Sequence, residues 1–351
     1  MMQYRFDKIA FNSTAKKKPI EEDKEHYIGL EHLDSDCLSV TRWGSDVAPT
    51  GEKLLMKKGD VLFGKRRAYQ RKVGIAPFDG IFSAHGMVLR PNEEVIDKDF
   101  FPFFISSDQF MERAVRISVG GLSPTINWKD LREQEFEIPS LSEQKELSAQ
   151  LWAAYRLKES YKKLLAATDE MVKSQFIEMF GDFYTSAEST LADYVNLKAG
   201  KSKKAELIRD SQKDAQYPCY GGNGIRGYVD DFTHNGTYCI IGRQGALCGN
   251  VQIAHGQFYA TEHAVVVSPI VEINTTWLFF ALTQMNLNQY ARGVAQPGLA
   301  VNQIEKLSFS LPSLDGQNRF ASIAVQADKS KFELRKSIDA IDAVIKSLIN
   351  S

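Results

Sequence analysis

The amino-acid sequence predicts an α+β protein in which two similar mixed α/β lobes are separated by two long helices. The helices are predicted to form an antiparallel coiled-coil spacer with pseudo-twofold symmetry. Three observations support this fold class: an internal repeat, short β-favouring runs broken by turns, and two long segments with helical periodicity. With 351 residues, the chain can bury a core in each half.

The repeat is clearest just before each long helical segment. Phe136–Gln144 reads FEIPSLSEQ and Phe309–Gln317 reads FSLPSLDGQ, at an offset of 173 residues. Inside the lobes, Gly64–Ala68 aligns with Gly242–Ala246 at an offset of 178 residues. Because such matches follow the same order in both halves, each half is predicted to contain a lobe, a Pro-Ser-Leu element and a helix.

The lobes consist of short strands and turns. The β-favouring runs are Asp60–Phe63, Met87–Leu89, Tyr238–Ile241 and Ala264–Val267. Turns are predicted at Asp79-Gly80, Gly221-Gly222 and Asn235-Gly236.

After each Pro-Ser-Leu element, apolar residues recur at steps of three and four, which predicts two amphipathic helices. Ser140 and Glu143 fit a capping box at the first helix start, and Gly181 fits a C-terminal cap. Between Ser142 and Phe180 the first helix would extend ~58 Å at ~1.5 Å per residue.

A long helix with an apolar stripe needs a partner along its length. The helix of the other repeat is the obvious candidate, and an antiparallel pair would place the lobes at opposite ends. The alternative is two separate domains, each folding its helix back onto its own lobe.

Composition argues against several classes of protein. The chain lacks a run of the ~20 apolar residues of a membrane helix and a signal-peptide pattern at its start, so we expect a cytoplasmic protein with no membrane partner. The four cysteines show neither C-x-x-C nor paired-histidine spacing, so neither zinc nor disulfides are expected.

Charge is distributed unevenly, although the net charge is only −1. Residues 57–72 contain seven lysines and arginines against one acid, Asp60. A second basic cluster comprises Lys198, Lys201, Lys203 and Lys204. Such clusters are typical of nucleic-acid contacts, and solvated surface loops are the alternative.

Catalytic and nucleotide-binding motifs are weak in this chain. Gly222–Gly227 matches G-x-G-x-x-G, but it lacks the buried strand before it and the helix after it that a dinucleotide site needs. Gly200-Lys201-Ser202 lacks the first glycine of a P-loop, because that position is Val195. We find no coherent catalytic constellation and expect no cofactor, no metal and no catalysis by this chain.

Two longer runs resemble a known family. Tyr217–Tyr228 reads YPCYGGNGIRGY, and Ile240–Val251 reads IIGRQGALCGNV. Together with the Leu-Pro-x-Leu-x-x-Gln element before the second helix and its counterpart before the first, they resemble the specificity subunit of type I restriction-modification enzymes. The first lobe matches mainly through Gly59–Gly64 and its place in the repeat.

The resemblance implies two target-recognition domains, at residues 1–140 and 183–313, each reading one half of a split double-stranded DNA site. It also implies spacer helices at 141–182 and 314–351. Modification subunits, expected to be two, would dock on the helices, and restriction subunits would complete the complex. That complex would be a site-specific deoxyribonuclease and adenine methyltransferase.

Candidate DNA-binding residues follow from base and phosphate chemistry. Arg and Lys contact phosphates or guanine, and Asn and Gln can reach adenine edges. The candidates are Lys65, Arg66, Arg67, Tyr69, Arg71, Lys72 and His85 in the first lobe, and Tyr220, Asn223, Arg226, Arg243, Gln244 and His263 in the second. Lys65 and Arg243 occupy matched positions after a strand-ending glycine, and a surface-loop cation is the alternative for each. For His85 and His263, a structural hydrogen bond is the alternative.

Three other functions remain open at this point. The chain could be the recognition subunit of a related restriction system whose partner carries both nuclease and methyltransferase. It could be an enzyme with an unrecognised site, or a helical scaffold without DNA. The scaffold leaves the repeated basic lobes unexplained.

Overall fold

The computed structural model describes residues 1–181, 183–184, 187–245, 247–293 and 297–350. None of the helices in these ranges combines the length and apolar character that crossing a bilayer requires.

In each half of the described chain a run of strands is followed by short helices and then by one long helix. The strands are β1 (Met2–Arg5), β2 (Ala10–Ser13), β3 (Lys16–Lys17), β4 (Tyr27–Ile28), β5 (Lys53–Met56), β6 (Val61–Phe63), β7 (Val73–Ile75), β8 (Gly80–Phe82), β9 (Met87–Pro91), β10 (Glu135–Ile138), β11 (Val195–Ala199), β12 (Tyr217–Gly221), β13 (Gly224–Val229), β14 (His234–Gly242), β15 (Val251–Ala260) and β16 (Ala264–Pro269). The α-helices are α1 (Phe6–Ile9), α2 (Phe101–Ser106), α3 (Asp108–Arg116), α4 (Trp128–Leu131), α5 (Leu141–Phe180), α6 (Thr275–Gln284), α7 (Val301–Ile304) and α8 (Leu314–Ile349). Short 3-10 helices are found at Glu21–His26, Leu30–His32, Ala68–Gln70, Leu191–Asp193, Ala205–Leu207 and Leu287–Tyr290.

The chain forms two compact units. The first comprises Met1–Lys162 and the segment from Arg335 onward, and the second comprises Lys163–Leu334. Each unit therefore contains one lobe, one segment of α5 and one segment of α8.

The first lobe is built on two small sheets. One has the strand order β2-β9-β6-β7 and the other has the order β3-β5-β8-β4, while β1 and β10 form a separate antiparallel pair. In the first sheet Leu62 lies opposite Val88. In the second sheet β4 runs parallel to β8, with Ile28 opposite Phe82.

The second lobe repeats this plan in one larger sheet of order β11-β16-β14-β15-β12-β13. Its first four strands match the order β2-β9-β6-β7. Ile240 lies opposite Val266, and each is 178 residues after its counterpart in the Leu62–Val88 pair. The parallel pairing also recurs, with Tyr220 opposite Ala260. The predicted duplication of the lobes is confirmed in strand order and in register.

One predicted turn is wrong. Asn235-Gly236 lies within strand β14, where Asn235 pairs with Gln257 and Gly236 pairs with Gly256. Gly236 and Gly256 both have positive φ, at 142° and 70°. These glycines produce an irregular point in a continuous ladder rather than a hairpin turn.

Aromatic side chains form the core of each unit. In the first unit Phe6 contacts Phe110 and Phe136, with ring centroids 5.3 and 5.7 Å apart. In the second unit Phe176 of α5 contacts Phe320 of α8 at 5.0 Å. Both cores also include helix residues, so each lobe packs against the long helices of its own unit.

Within each unit the two helix segments run antiparallel. In the first unit Lys158 forms an ion pair with Asp342, and Leu147 packs in the same core as Leu348. In the second unit Lys331 pairs with Asp169, and Gly316 lies beside Phe180. Residues later in α5 thus meet residues earlier in α8. The antiparallel coiled-coil pairing is confirmed, and helices that fold back separately are not observed in the described chain.

The helix boundaries follow local chemistry. Ser140 N donates to Glu143 Oε2 at 2.8 Å, and Glu143 N donates to Ser140 Oγ at 3.4 Å, which completes the predicted capping box. Gly181 ends α5 with a φ of +57° and donates from its backbone N to Ile177 O at 2.8 Å. The predicted C-terminal cap is confirmed.

Two buried glutamines tie the helix starts to the lobes. Gln144 accepts from Asp97 N at 2.7 Å, and Gln317 accepts from Asn274 N at 2.9 Å. Both side chains also donate to the proline carbonyl of the Pro-Ser-Leu element, at 2.8 and 2.9 Å. The repeated glutamine therefore bonds each lobe to the start of its helix in the same way.

Candidate nucleic-acid interface

In the first lobe, three segments meet at one end of strand β6. We call residues 64–72, 83–86 and 118–126 the first loop cluster. Arg67 N donates to Pro124 O at 2.7 Å, Ile126 N donates to Lys65 O at 3.0 Å, and Arg66 N donates to His85 O at 3.3 Å. These backbone bonds give the basic segment a defined shape, although it is irregular.

Four candidates in the first loop cluster are available to a ligand. Arg67 has a φ of +57°, is exposed, and donates from Nε to Ser123 Oγ at 3.2 Å. Tyr69 is 55% exposed, His85 is exposed, and Arg66 is half-buried.

Lys65 has a different environment from its neighbours. Its side chain is half-buried, and burial, together with the positive charge of Lys16, lowers the pKa of Lys65. Among the described residues its ammonium group has no hydrogen-bond or ion-pair partner. An anion that approaches such a partly desolvated cation stabilises its charged form.

Arg71 and Lys72 are used inside the first lobe. The Arg71 guanidinium contacts Asp36 Oδ1 at 2.6 Å, Asp108 Oδ1 at 3.1 Å and Ser106 O at 2.7 Å. Lys72 Nζ donates to the Leu30 carbonyl at 2.7 Å. Their positive charges stabilise the loop, whereas those of Lys65, Arg66 and Arg67 remain on its surface or within reach of it.

The second lobe builds an equivalent arrangement, the second loop cluster, from residues 221–224, 242–245, 247–250, 261–263 and 297–299. Leu299 N donates to Arg243 O at 2.9 Å, and Gly245 N donates to Pro297 O at 2.9 Å. These two bonds are the repeat counterparts of the Ile126–Lys65 and Arg67–Pro124 bonds. Lys65 and Arg243 thus occupy matched positions in space as well as in sequence. Ala246, which belongs to the predicted repeat, lies outside the described residues.

Polar side chains cover the second loop cluster. Asn223 is exposed at the turn between β12 and β13, and its Oδ1 accepts from Asn250 Nδ2 at 2.8 Å. Arg226 and Gln244 are exposed. Arg243 is half-buried and donates from Nε to Leu299 O at 3.3 Å. The G-x-G-x-x-G motif is this hairpin, with Gly221 opposite Gly224, and no helix follows it.

Two candidates in the second lobe lie in more enclosed surroundings. Tyr220 is 7% exposed and packs edge-on against Phe258, with ring centroids 5.5 Å apart. Burial and the nearby Tyr228 raise the pKa of Tyr220. His263 is half-buried, with Nε2 3.6 Å from Glu262 Oε1.

Two further residues of the clusters were not identified from the sequence. Glu262 contacts His263 and accepts from Ser202 Oγ at 3.3 Å, and the equivalent position in the first lobe is Ala84. Leu122 is 96% exposed at the tip of the loop that binds Arg67. Gly120-Gly121 was a turn signal that could have located this loop.

The described residues contain no group of three or more His, Cys, Asp or Glu side chains arranged to hold a metal ion. The two clusters offer cations, amides and exposed loop tips on a hydrogen-bonded backbone. That chemistry suits contacts with phosphates and base edges.

Comparison with known proteins supports one family. The family model described as the type I restriction modification DNA specificity domain matches the chain twice, at residues 10–166 and 185–341. The specificity subunit of the type I restriction enzyme EcoprrI from Escherichia coli is 47% identical over 157 residues, which are 44% of this chain and 39% of that protein. The chain aligns with less than half the length of the curated relatives it matches.

Solved structures share the fold. The S subunit of the type I restriction-modification system of M. genitalium superposes with a TM-score of 0.61 at 15% identity, covering 99% of this chain and 94% of that one. A chain from a study of complex assembly and conformational transition in the type I system also gives 0.61, at 14% identity, covering 99% and 96%. The duplicated family match spans most of the sequence, and the chain therefore belongs to the family of type I restriction-modification specificity subunits.

Proposed function

We propose that this chain reads a bipartite double-stranded DNA target for a type I restriction-modification complex, with one half-site for each lobe. The observation that carries the proposal is the matched pair of loop clusters. Each is built by the same backbone hydrogen bonds, and each places a cation, Lys65 or Arg243, at the same position. Two equivalent readers are what a split site requires.

The division of labour follows the elements. Residues 1–140 and 183–313 would be the target-recognition domains, and residues 141–182 and 314–351 would be the spacer helices. Half-sites about one helical turn apart, ~34–36 Å, lie on one face of DNA, and a helical spacer of tens of ångströms suits that distance. Modification subunits, two in number, would dock on the outer helix faces, and restriction subunits would join them in the cytoplasm. The chain itself would be non-catalytic.

The candidate residues divide into two roles under this proposal. Lys65, Arg66, Arg67, Tyr69, His85, Asn223, Arg226, Arg243, Gln244 and His263 would contact DNA. Arg71, Lys72 and Tyr220 would shape the loops, because they are already bonded or buried within the lobes. Leu122 and Glu262 join the DNA-contacting set. Glu262 could accept from a cytosine amino group, and Leu122 could contact a thymine methyl.

Lys65→Ala and Arg243→Ala test the proposal in the chain assembled with its modification subunits. Each variant should weaken DNA binding and reduce the magnitude of the salt slope by about 1, because one phosphate contact is lost. Lys58→Ala and Lys213→Ala are matched controls. Lys58 precedes strand β6 whereas Lys65 follows it, and Lys213 is an exposed loop lysine of the second lobe. Unchanged affinity and salt slope in both test variants would refute the assignment.

Co-purification from the native host distinguishes this proposal from the alternative, a related system with a fused nuclease-methyltransferase partner. Separate modification and restriction polypeptides bound to this chain support the type I assembly. One large partner carrying both activities supports the alternative.

A further inference from the structure

The two long helices carry the same charge pattern. Helix α5 contains Lys158 and Asp169, helix α8 contains Lys331 and Asp342, and each lysine precedes its aspartate by 11 residues. Eleven residues make about three helical turns, so the two charges of each helix lie on one side, about 16 Å apart.

The four side chains form two ion pairs, one in each unit. Lys158 Nζ lies 2.5 Å from Asp342 Oδ1, and Lys331 Nζ lies 2.8 Å from Asp169 Oδ1. The lysine side chains are only 9% and 15% exposed, whereas both aspartates are about half exposed. The lysines are therefore enclosed by the helix pairs and are not part of their solvent-facing surface.

Each lysine continues the apolar stripe of its helix. Lys158 follows Leu151 and Tyr155 by seven and three residues, and Lys331 follows Ala324 and Ala327 by seven and four. These steps are those of core positions in a coiled coil. An apolar stripe alone specifies register weakly, because a slip of seven residues again places apolar residues opposite each other.

An enclosed cation penalises every arrangement in which it lacks a counter-ion. In the antiparallel pairing each lysine meets an aspartate of the other helix. In a parallel pairing aligned by the repeat, Lys158 would meet Lys331, and Asp169 would meet Asp342. We propose that these four side chains are positioning residues that fix the orientation and the register of the helix pair.

Charge reversal on one helix tests this with no change in composition or net charge. Lys158→Asp with Asp169→Lys makes both contacts like-charged, and we expect the melting temperature to fall by about 5 °C or more. Adding Lys331→Asp and Asp342→Lys should restore it to within about 2 °C. The control exchanges the exposed ion pair Glu170 and Lys173 of α5, which are 71% and 56% exposed, and it should shift the melting temperature by less than about 2 °C. An unshifted melting temperature for the one-helix reversal overturns the proposal.

A second variant separates register from stability. Lys158→Met with Lys331→Met should leave the melting temperature unchanged or higher, since apolar residues often replace buried charges without loss. It should nevertheless broaden the distance distribution between spin labels on the two helices. Label pairs at 157 and 344 in the first unit and at 171 and 332 in the second use exposed positions, with Cys37→Ser as background. Label distances as narrow in the methionine variant as in the protein with both lysines would overturn the register role.

A fixed helix register matters for DNA recognition only if the chain reads a split site. That consequence therefore rests on the proposed function. The two can fail separately. Narrow label distances in the methionine variant refute the positioning role and leave DNA reading intact. A chain with ordered, lysine-dependent register that directs no methylation of a split site refutes the function alone.

Discussion

The two loop clusters use the same backbone and different side chains. The bond from Ile126 N to Lys65 O is repeated by the bond from Leu299 N to Arg243 O. On that shared frame, Lys65 has a half-buried ammonium group, whereas the Arg243 guanidinium donates to a carbonyl of its own lobe. Ala84 of the first lobe is replaced by Glu262 in the second. The backbone frame thus stays constant between the lobes while the surface that would read DNA changes.

A different contrast exists where the helices meet the lobes, because the same side chain makes different numbers of hydrogen bonds there. Gln144 makes three hydrogen bonds, to Asp97 N, Val95 O and Pro139 O. Gln317 makes two, to Asn274 N and Pro312 O. Gln144 thus makes one more hydrogen bond than Gln317, and substitutions at the glutamines, the ion pairs and the helix starts test how the two units differ.

The largest effect is expected at the glutamines. Gln144→Ala leaves three half-buried backbone groups without this side chain as a partner and should destabilise the first unit by about 2–3 kcal/mol. Gln317→Ala should destabilise the second unit by about 1 kcal/mol less. Hydrogen exchange at increasing urea concentrations reports the stability of each unit separately and measures both losses. Gln326→Ala, on the exposed face of α8, is the control and should stay within about 0.5 kcal/mol. Equal losses of stability in both glutamine variants would contradict the larger role given to Gln144.

A smaller difference is expected at the two ion pairs. Among the described residues Lys158 has one carboxylate partner, Asp342, whereas Lys331 also contacts Asp328 at 2.7 Å. Asp342→Ala should therefore cost about 1–2 kcal/mol, and Asp169→Ala should cost less than about 1 kcal/mol. Thermal unfolding of both variants measures the difference. A larger loss for Asp169→Ala would contradict the role given to Asp328.

The smallest effect concerns the helix starts. The Glu143 of the first capping box is replaced by Gly316 in the second, where Ser313 Oγ accepts from Gly316 N at 3.3 Å. An added Cβ at Gly316 meets its nearest atoms at 3.4 Å or more. Gly316→Glu should therefore stabilise the second unit by about 0.5–1 kcal/mol through helix propensity and a completed box. A destabilised variant in thermal unfolding would refute the equivalence of the two helix starts.

The capping box also predicts a pH dependence. Hydrogen bonds from the Ser140 hydroxyl and backbone N lower the pKa of Glu143 below its usual 4.5. Its contribution to stability is therefore present above pH 4.5 and is lost as the pH falls through the lowered value. Wild type and Glu143→Gln should differ at pH 7 and converge at the acid end of a denaturation series. Gly316→Glu should add the same dependence to the second unit.

Periodicity and the repeat were enough to predict the two long helices, the caps of the first one, the duplicated lobes and the matched position of Lys65 and Arg243. The contacts of Arg71 and Tyr220 within their lobes could not be predicted in this way. Arg71 meets Asp36 and Asp108, which lie 35 or more residues away in the sequence. The motif around Tyr220 does not reveal that its ring faces Phe258 rather than solvent.

The irregular loops were the hardest part to predict. The loop tip at Leu122 has neither a helical nor a strand period, so only its glycines marked it. Its position beside Arg67 depends on a backbone bond between segments that are far apart in the chain.

Single-molecule methylation sequencing of host DNA, with and without this chain, tests two-lobe reading most directly. We expect methylation that depends on the chain and falls on two short sequences separated by a fixed gap. Extending α5 and α8 by matched whole turns should change that gap and leave both sequences intact. Methylation at a single uninterrupted sequence, or an unchanged gap in the extended variant, would contradict it.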